Sequence, residues 1–226
     1  MVNEEQGYKI IYMSARMTVD GWMVELHGTM YTKLSRRINR VADDAHDDLF
    51  HNGNVRNWNN NGVQVSLPRA NNDVIVIFNH IINHFFLEVV GLRQICDWCR
   101  LFWVYRQEMD VTLLEVRLKK MGLVTEWKTF YNLANRYLGM LDIGEGLLAY
   151  DSRFDKRADR IMAFVLESGN FGHNRDVSYR AKESKAEVST ITLWRRICDF
   201  VRFMRVFPVD APKFFGQYLW NRMSCK

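Results

Sequence analysis

The sequence lacks long apolar segments and is poor in cysteine. No run of about 18 uncharged apolar residues occurs, so no segment qualifies as a membrane-spanning helix. The first residues show no basic region followed by an apolar one, which argues against a secretory signal. Of the four cysteines, three lie in helical apolar patterns, where a free thiol behaves as a small hydrophobic residue. We therefore expect a protein of the reducing cytoplasm.

The sequence also lacks internal repeats, and compositional bias is confined to the Asn-rich segment 52–62. What is present is ordinary globular composition, with 48% hydrophobic and 25% charged residues in 226. Aromatic residues make up 13% of the chain, which predicts a core rich in rings. The net charge of +5 permits binding to phosphates or acidic partners and requires neither.

The first part of the chain predicts a small antiparallel sheet. Residues 8–14 and 22–27 are typical of strands, and Asp20-Gly21 between them is a hairpin turn signal. Alternating apolar residues at 63–67, closed by a proline, predict a third short strand. Residues 32–49 predict a polar helix, and the Asn-rich segment 52–62 predicts a loop. Three strands cannot stand alone well, so we expect this sheet to lean on helices or to have lost strands.

The rest of the chain shows helical periodicity. We therefore expect an α+β protein that is predominantly α, with a sheet region over residues 1–68 and a helical domain over residues 69–226. The first helix of the helical domain should begin with Asn71 or Asn72 as its cap. The helical domain is predicted to contain about six helices, at 72–87, 92–105, 111–121, 123–138, 153–167 and 189–206, followed by a short aromatic helix at 213–223.

Two pairs of functional residue types lie in neighbouring helices. His80 and His84 are four residues apart and share one face of the first helix of the helical domain. Arg93 and Asp97 have the same spacing in the next helix, after a short joint at Gly91. A short joint favours antiparallel neighbours, so the two pairs could meet between the helices.

Each pair has more than one interpretation. The histidines could bind a metal, but no third ligand is signalled nearby, and a polar contact between helix and sheet is the commoner role. Arg93 could hold a phosphate, whose oxygens its guanidinium fits, or could simply pair with Asp97. Cys96 and Cys99 form a C-x-x-C motif inside a helix, whereas a redox site needs it at a helix N-terminus.

The pattern H-x3-H followed by G-L-R-x2-C-D-W resembles the helical part of an uncharacterised bacterial nucleotidyltransferase family. The family lies in the polymerase-β-like nucleotidyltransferase superfamily. The resemblance continues through VELH at 24–27, EWK at 126–128, ESGNFG at 167–172 and the Phe-Pro at 207–208. It implies transfer of a nucleoside monophosphate from a nucleoside triphosphate (NTP) to an acceptor that the sequence does not identify. The resemblance further implies that Glu25 is a catalytic Mg²⁺ ligand and that the substrate is contacted by His27, His80, His84, Arg93 and Asp97.

The sequence departs from the superfamily at the metal site. Three carboxylates hold Mg²⁺ there, and two of them follow a Gly-Ser turn as Asp-x-Asp. This sequence contains neither a Gly-Ser dipeptide nor an Asp-x-Asp, and only Glu25 matches the trio. One carboxylate holds Mg²⁺ weakly because the ion otherwise keeps its water. We therefore expect the chain to be incomplete and inactive alone, either as the C-terminal piece of a longer protein or as a degenerate homologue.

The alternative function is a non-catalytic helical binding module. Residues 194–223 interleave arginine with aromatic side chains. This pattern would suit a protein partner or an anionic surface, and nucleic acid less well. An amphipathic helix that packs on the body with its arginines in solvent gives the same pattern.

Overall fold

The computed structural model describes residues 14–27, 32, 34–87, 89–169, 172, 174–176, 178 and 184–224. Within these ranges the chain forms eight α-helices and four short strands, which confirms the predicted α+β, mainly α class. None of the helices in this part of the chain combines the length and apolar character needed to cross a membrane.

The strands form two separate antiparallel hairpins. β1 (Ser14–Val19) pairs with β2 (Trp22–His27), and β3 (Val55–Asn60) pairs with β4 (Val63–Pro68). Each turn has two residues with positive φ, Asp20-Gly21 in the first and Asn61-Gly62 in the second. This is the conformation that matches the twist of two tightly connected strands, and Asp-Gly and Asn-Gly adopt it most readily.

One prediction in this part of the chain was wrong. The Asn-rich segment 52–62 was predicted to be a loop, but its residues 55–60 form β3, because Asn61-Gly62 supplies the hairpin turn. The strand predicted at 8–14 overlaps β1 at Ser14, and residues 8–13 lie outside the described residues, so the rest of that prediction is not tested. The described strands form two two-stranded sheets and not the predicted three-stranded one.

The helices agree closely with the predicted ones. Those predicted at 92–105 and 111–121 are confirmed without change, and the bounds of the others shift by at most four residues. The last helix includes Pro212 in its first turn, where a missing N–H costs no helical hydrogen bond. The helices are α1 (Arg36–Phe50), α2 (Ala70–Leu87), α3 (Leu92–Tyr105), α4 (Val111–Met121), α5 (Val124–Tyr137), α6 (Asp155–Ser168), α7 (Lys185–Met204) and α8 (Asp210–Ser224).

The start of α2 differs from the prediction that Asn71 or Asn72 caps it. The helix begins at Ala70, and the carbonyl of Arg69 accepts the backbone N–H groups of Asn72 and Asp73. The Asn71 side chain instead exchanges two hydrogen bonds with the backbone of Asp110, at 2.8 and 2.9 Å. Asn71 therefore ties the start of α2 to the start of α4.

Aromatic rings fill the core, as the composition predicts. Phe85 of α2 is 1% exposed and lies at its centre. The Phe203 ring is nearest, with its centroid 4.4 Å from that of Phe85. The other four rings around Phe85 are those of Phe86, Phe130, Phe164 and Phe207.

Helix α1 packs into the same core. Leu34, Ile38 and Val41 are buried in the cluster that also contains the apolar residues of α2 to α8. Residues before position 68 thus share a core with residues after it. The division of the chain into domains at residue 68 stays a prediction.

The β1–β2 hairpin is the most exposed apolar part of the described chain. Trp22 and Met23 are 77% and 76% exposed, and Met17 and Val19 are exposed as well. Among the described strands, β1 and β2 pair only with each other, so each has an unpaired edge.

One carboxylic acid lies fully inside the helical core. Glu126 of α5 is 0% exposed, and within the described part of the chain neither of its carboxylate oxygens has a hydrogen-bond partner. Burial, and after it the charge of the neighbouring Asp210 carboxylate, raise the pKa of Glu126 to about 8. Glu126 is therefore largely protonated at neutral pH, which avoids a buried charge.

Replacing Phe85 by alanine should lower the free energy of unfolding by about 3–5 kcal/mol, because five surrounding rings lose their contact and a cavity remains. Urea denaturation measures this loss. The matched control is Phe50→Ala, since Phe50 is 65% exposed and its removal should cost less than about 0.5 kcal/mol. Equal losses in the two variants would contradict the placement of Phe85.

Replacing Glu126 by glutamine should change how stability depends on pH. The folded pKa of about 8 exceeds the ordinary value of 4.5, so the folded state holds a proton that the unfolded state releases between these values. Stability is therefore fully present below about pH 4.5 and falls as pH rises toward 8, by up to about 1.4 kcal/mol per pH unit. Glu126→Gln should lack this fall, and urea denaturation at four pH values between 5 and 8 measures the difference.

Exposed Glu145 provides the control for that experiment, and Glu145→Gln should follow the wild-type pH profile. A constant difference between wild type and Glu126→Gln across the range would show that Glu126 does not take up a proton on folding.

Candidate functional site

The two predicted histidines stack along α2. The ring centroids of His80 and His84 are 4.2 Å apart, with the ring planes at 70°. His80 is exposed and His84 is half-buried. Among the described side chains, no third histidine, cysteine or carboxylate joins them within ligand distance. Within this part of the chain the pair thus has the geometry of a helix-face contact rather than of a metal centre.

Arg93 and Asp97 form the predicted pair on α3. The Arg93 Nε lies 3.9 Å from the Asp97 Oδ2, and the two side chains are 77% and 66% exposed. An ion pair this exposed contributes less than about 1 kcal/mol, so a phosphate can displace Asp97 at little cost. The structure forms each pair within its own helix, and α2 packs against α3. A joint nucleotide contact by His80, His84 and Arg93 stays a prediction.

Glu25 and His27 lie in β2, opposite Arg16 and Ser14 of β1. The strand predicted there is confirmed. The side chains of Glu25 and His27 are outside the described residues, so their roles as metal ligand and substrate contact stay predictions.

The described side chains do not fit a Mg²⁺ site of the superfamily type. Mg²⁺ takes oxygen ligands in octahedral geometry, and the superfamily provides three carboxylates. Nowhere in the described ranges do three carboxylates converge within ligand distance. The described side chains therefore offer no three-carboxylate ligand set for Mg²⁺.

A polar cavity of about 320 Å³ lies where the end of α1, the β3–β4 hairpin, the start of α2 and α4 meet. It is called here the arginine cavity. Its charged and amide side chains are Asp48, Asn54, Arg56, Arg69, Asn71, Asn72, Glu108 and Arg117.

Two of the three arginines in the arginine cavity are fixed by neighbours. The Arg56 guanidinium donates to the Pro68 carbonyl at 2.8 Å and to Asp73, and it lies 3.9 Å over the Tyr105 ring. Arg117 donates to the Asn72 Oδ1 at 2.6 Å. These contacts hold both guanidinium groups in place on the cavity wall.

Asp48 is the acidic member of the arginine cavity that is fixed by hydrogen bonds. Its Oδ2 accepts the Asn72 amide at 2.9 Å and the Asn54 amide at 2.8 Å. The Asn72 hydrogen bond, with help from Asn54 and Arg117, holds the pKa of Asp48 below its ordinary value. Asp48 therefore stays ionised and offsets part of the charge of Arg117.

Arg69 is the third arginine of the cavity, whose lining also includes the Glu108 carboxylate. Within the described part of the chain its guanidinium makes no hydrogen bond or ion pair, while its carbonyl caps α2. The first N–H groups of α2 add a partial positive charge at the same place. The cavity can therefore accept an anion at Arg69. Sequence reasoning missed this site, because its residues are spread from position 48 to 117 and no local motif connects them.

The C-x-x-C motif does not form a reactive thiol pair. Cys99 is buried in α3, and burial raises the pKa of its thiol to about 12. Burial also raises the pKa of the Cys96 thiol, with the Asp97 charge as a second cause. Since the thiolate is the nucleophile, these shifts make both thiols less reactive at neutral pH.

Comparison with known proteins agrees with the sequence resemblance. The model of a family described as an uncharacterised nucleotidyltransferase matches residues 2–139, more than half of the 226 residues. No curated protein and no solved structure matches the chain significantly. The matched segment contains β2, the α2–α3 pair and every residue that lines the arginine cavity. The chain therefore belongs to this nucleotidyltransferase family.

Proposed function

We propose that this chain binds the triphosphate of an NTP and forms the helical part of a nucleotidyltransferase, without transferring nucleotides by itself. The family match over residues 2–139 carries the first half of the proposal. The absence of Gly-Ser and Asp-x-Asp from the sequence carries the second. Nucleotidyl transfer needs metal ions to neutralise charge on the attacking and leaving oxygens, and Glu25 alone would hold such an ion weakly.

The arginine cavity supports the triphosphate assignment best. Its volume of about 320 Å³ is at the small end of ligand pockets, which suits a phosphate chain rather than a whole nucleotide. Arg69 lines the cavity with a guanidinium that has no hydrogen-bond or ion-pair partner among the described residues, and Arg56 lines it with a guanidinium that already donates to Pro68 and Asp73. Arginine binds phosphate oxygens through two parallel hydrogen bonds, so Arg69 has the required chemistry.

Arg93 is the second candidate for a phosphate contact, as the resemblance implies. It lies on α3 in solvent, held only by Asp97. A phosphate bound there would gain less, because solvent screens an exposed charge pair. Replacing Arg69 or Arg93 by alanine is therefore expected to lower NTP affinity by different amounts, and a binding experiment can distinguish the two sites.

A non-catalytic binding module is the alternative function. Trp194 of α7 and Trp220 of α8 are 65% and 63% exposed, which leaves large apolar rings at the surface, and α7 also carries Arg195, Arg196 and Arg202. Such a surface suits a protein partner or anionic lipid headgroups. On this alternative, NTPs would not stabilise the chain, and Trp194→Ala would weaken binding to anionic vesicles.

Addition of ATP with Mg²⁺ should raise the melting temperature of the chain, because ligand binding to the folded state stabilises it. Arg69→Ala should weaken the affinity about tenfold or more, since a hydrogen bond to a charged group contributes about 1.5–3 kcal/mol. Arg93→Ala should have a smaller effect. Thermal-shift titration with ATP and Mg²⁺ measures the ATP affinity of the wild type, Arg69→Ala and Arg93→Ala.

Arg100→Ala serves as the control in that titration, because Arg100 is an exposed arginine on α3. It should bind ATP like the wild type. If Arg69→Ala also does, the arginine cavity is not the triphosphate site. No shift with any NTP would favour the binding module.

The chain alone should show no transfer of a labelled nucleoside monophosphate from any of the four NTPs in the presence of Mg²⁺. The reason is that Glu25 is its one match to the metal-binding trio. Label on protein, nucleic acid or small acceptors after incubation is the readout. Turnover that Glu25→Gln abolishes would contradict the expected inactivity while supporting the role of Glu25.

A further inference from the structure

Three metal-ligand side chains meet where α1 ends. His46, Asp47 and His51 each place one ligand atom within 4.8 Å of the other two. The Asp47 Oδ1 lies 3.2 Å from the His51 Nδ1 and 3.9 Å from the His46 Nδ1. Ligands of one Zn²⁺ in a tetrahedron lie about 3.3 Å apart, so small side-chain rotations would bring all three onto one ion.

The local structure explains why these side chains converge. Asp47 and His51 are one helical turn apart, and His51 is the residue that caps α1. The His46 ring packs on the Phe50 ring with centroids 4.5 Å apart, which restricts its rotation. The donors are therefore already gathered, and an ion would not have to order a flexible segment.

The surrounding charges favour a cation at this place. The last carbonyls of a helix carry a partial negative charge, and α1 ends at Phe50. The same two turns of α1 also carry Asp43, whereas part of the charge of Asp44 and Asp48 is offset by Arg117. No basic residue occupies the last turn of α1.

The donor set selects the class of metal. Two imidazoles and one carboxylate suit Zn²⁺, Co²⁺, Ni²⁺ or Cu²⁺, whereas Mg²⁺ prefers oxygen ligands alone. Three protein donors leave at least one coordination position for water. The exposed fractions of 66% for Asp47 and 70% for His51 mean that an ion can enter without any opening of the fold.

We propose that His46, Asp47 and His51 form a binding site for a divalent transition-metal ion, with Zn²⁺ as its expected occupant. The site lies on α1 and uses none of the residues assigned to the NTP. The proposal therefore stands or falls independently of the nucleotidyl-transfer function.

Isothermal titration of the full chain with Zn²⁺, under reducing conditions and without chelators, tests the proposal. One ion per chain should bind. His51→Ala and Asp47→Asn should each weaken the affinity at least tenfold. Both side chains are mostly exposed, so the variants should fold, and their circular dichroism and metal-free melting temperatures should equal those of the wild type.

The matched control is the double variant His80→Ala/His84→Ala, which removes the other histidine pair and should bind Zn²⁺ like the wild type. Co²⁺ provides a second readout. Bound through His46, Asp47 and His51, it should show ligand-field bands without a thiolate charge-transfer band, whereas binding at Cys96 or Cys99 would produce that band.

Several results would overturn the site. They are unchanged Zn²⁺ affinity in both His51→Ala and Asp47→Asn, loss of binding in the His80/His84 variant, and a thiolate band with Co²⁺. Absence of binding to the wild type at about 1 mM Zn²⁺ would do so as well, since a dissociation constant above that concentration is too weak for a specific site.

Discussion

Burial of α2 is the constraint on which the other features of the structure depend. Eleven of its 18 residues are buried, so neighbouring helices cover most of its surface. Phe85 and Phe86 in its last turns meet rings from α5, α6 and α7. Because the axis of α2 is fixed by this packing, its first turn is fixed as well, and with it the wall of the arginine cavity.

Polar groups in this interior are tolerated in two ways. Asn72 is 3% exposed and satisfies both ends of its amide, by donating to Asp48 and by accepting from Arg117. Glu126 is 0% exposed and avoids the cost of a buried charge by keeping its proton. The hydrogen bonds of Asn72 join α1, α2 and α4 at the arginine cavity. The proton of Glu126 makes the packing of α5 near α8 sensitive to pH.

The sequence predicted the elements whose ends are marked by local chemistry. Asp110 caps α4 at one end and Gly122, with φ of 75°, ends it at the other, so both bounds were readable. Asn-rich β3 was missed because composition outweighed the Asn61-Gly62 turn signal. The cap of α2 was predicted to be Asn71 or Asn72, but Asn71 bonds instead to Asp110, a residue 39 positions away.

The candidate sites differ in the same way, since some follow from local sequence and others require the fold. His80 with His84 and Arg93 with Asp97 follow from helical spacing alone and were predicted. The arginine cavity requires the fold, because Arg69 and Arg117 are brought together only when α2 packs against α4. The spacing of His46, Asp47 and His51 could also have indicated a group of metal ligands, but residues 32–49 were interpreted only as a polar helix.

The exposed β1–β2 hairpin has a consequence for the behaviour of the protein in concentrated solution. Among the described strands, β1 and β2 pair only with each other, so each leaves one row of N–H and C=O groups unpaired beside the exposed side chains of Trp22 and Met23. Such an edge can pair with another strand, and in concentrated solution that strand can come from the same hairpin of a second chain. At high concentration the chains can therefore form oligomers by pairing these strand edges. A charged residue at position 23 would oppose this pairing.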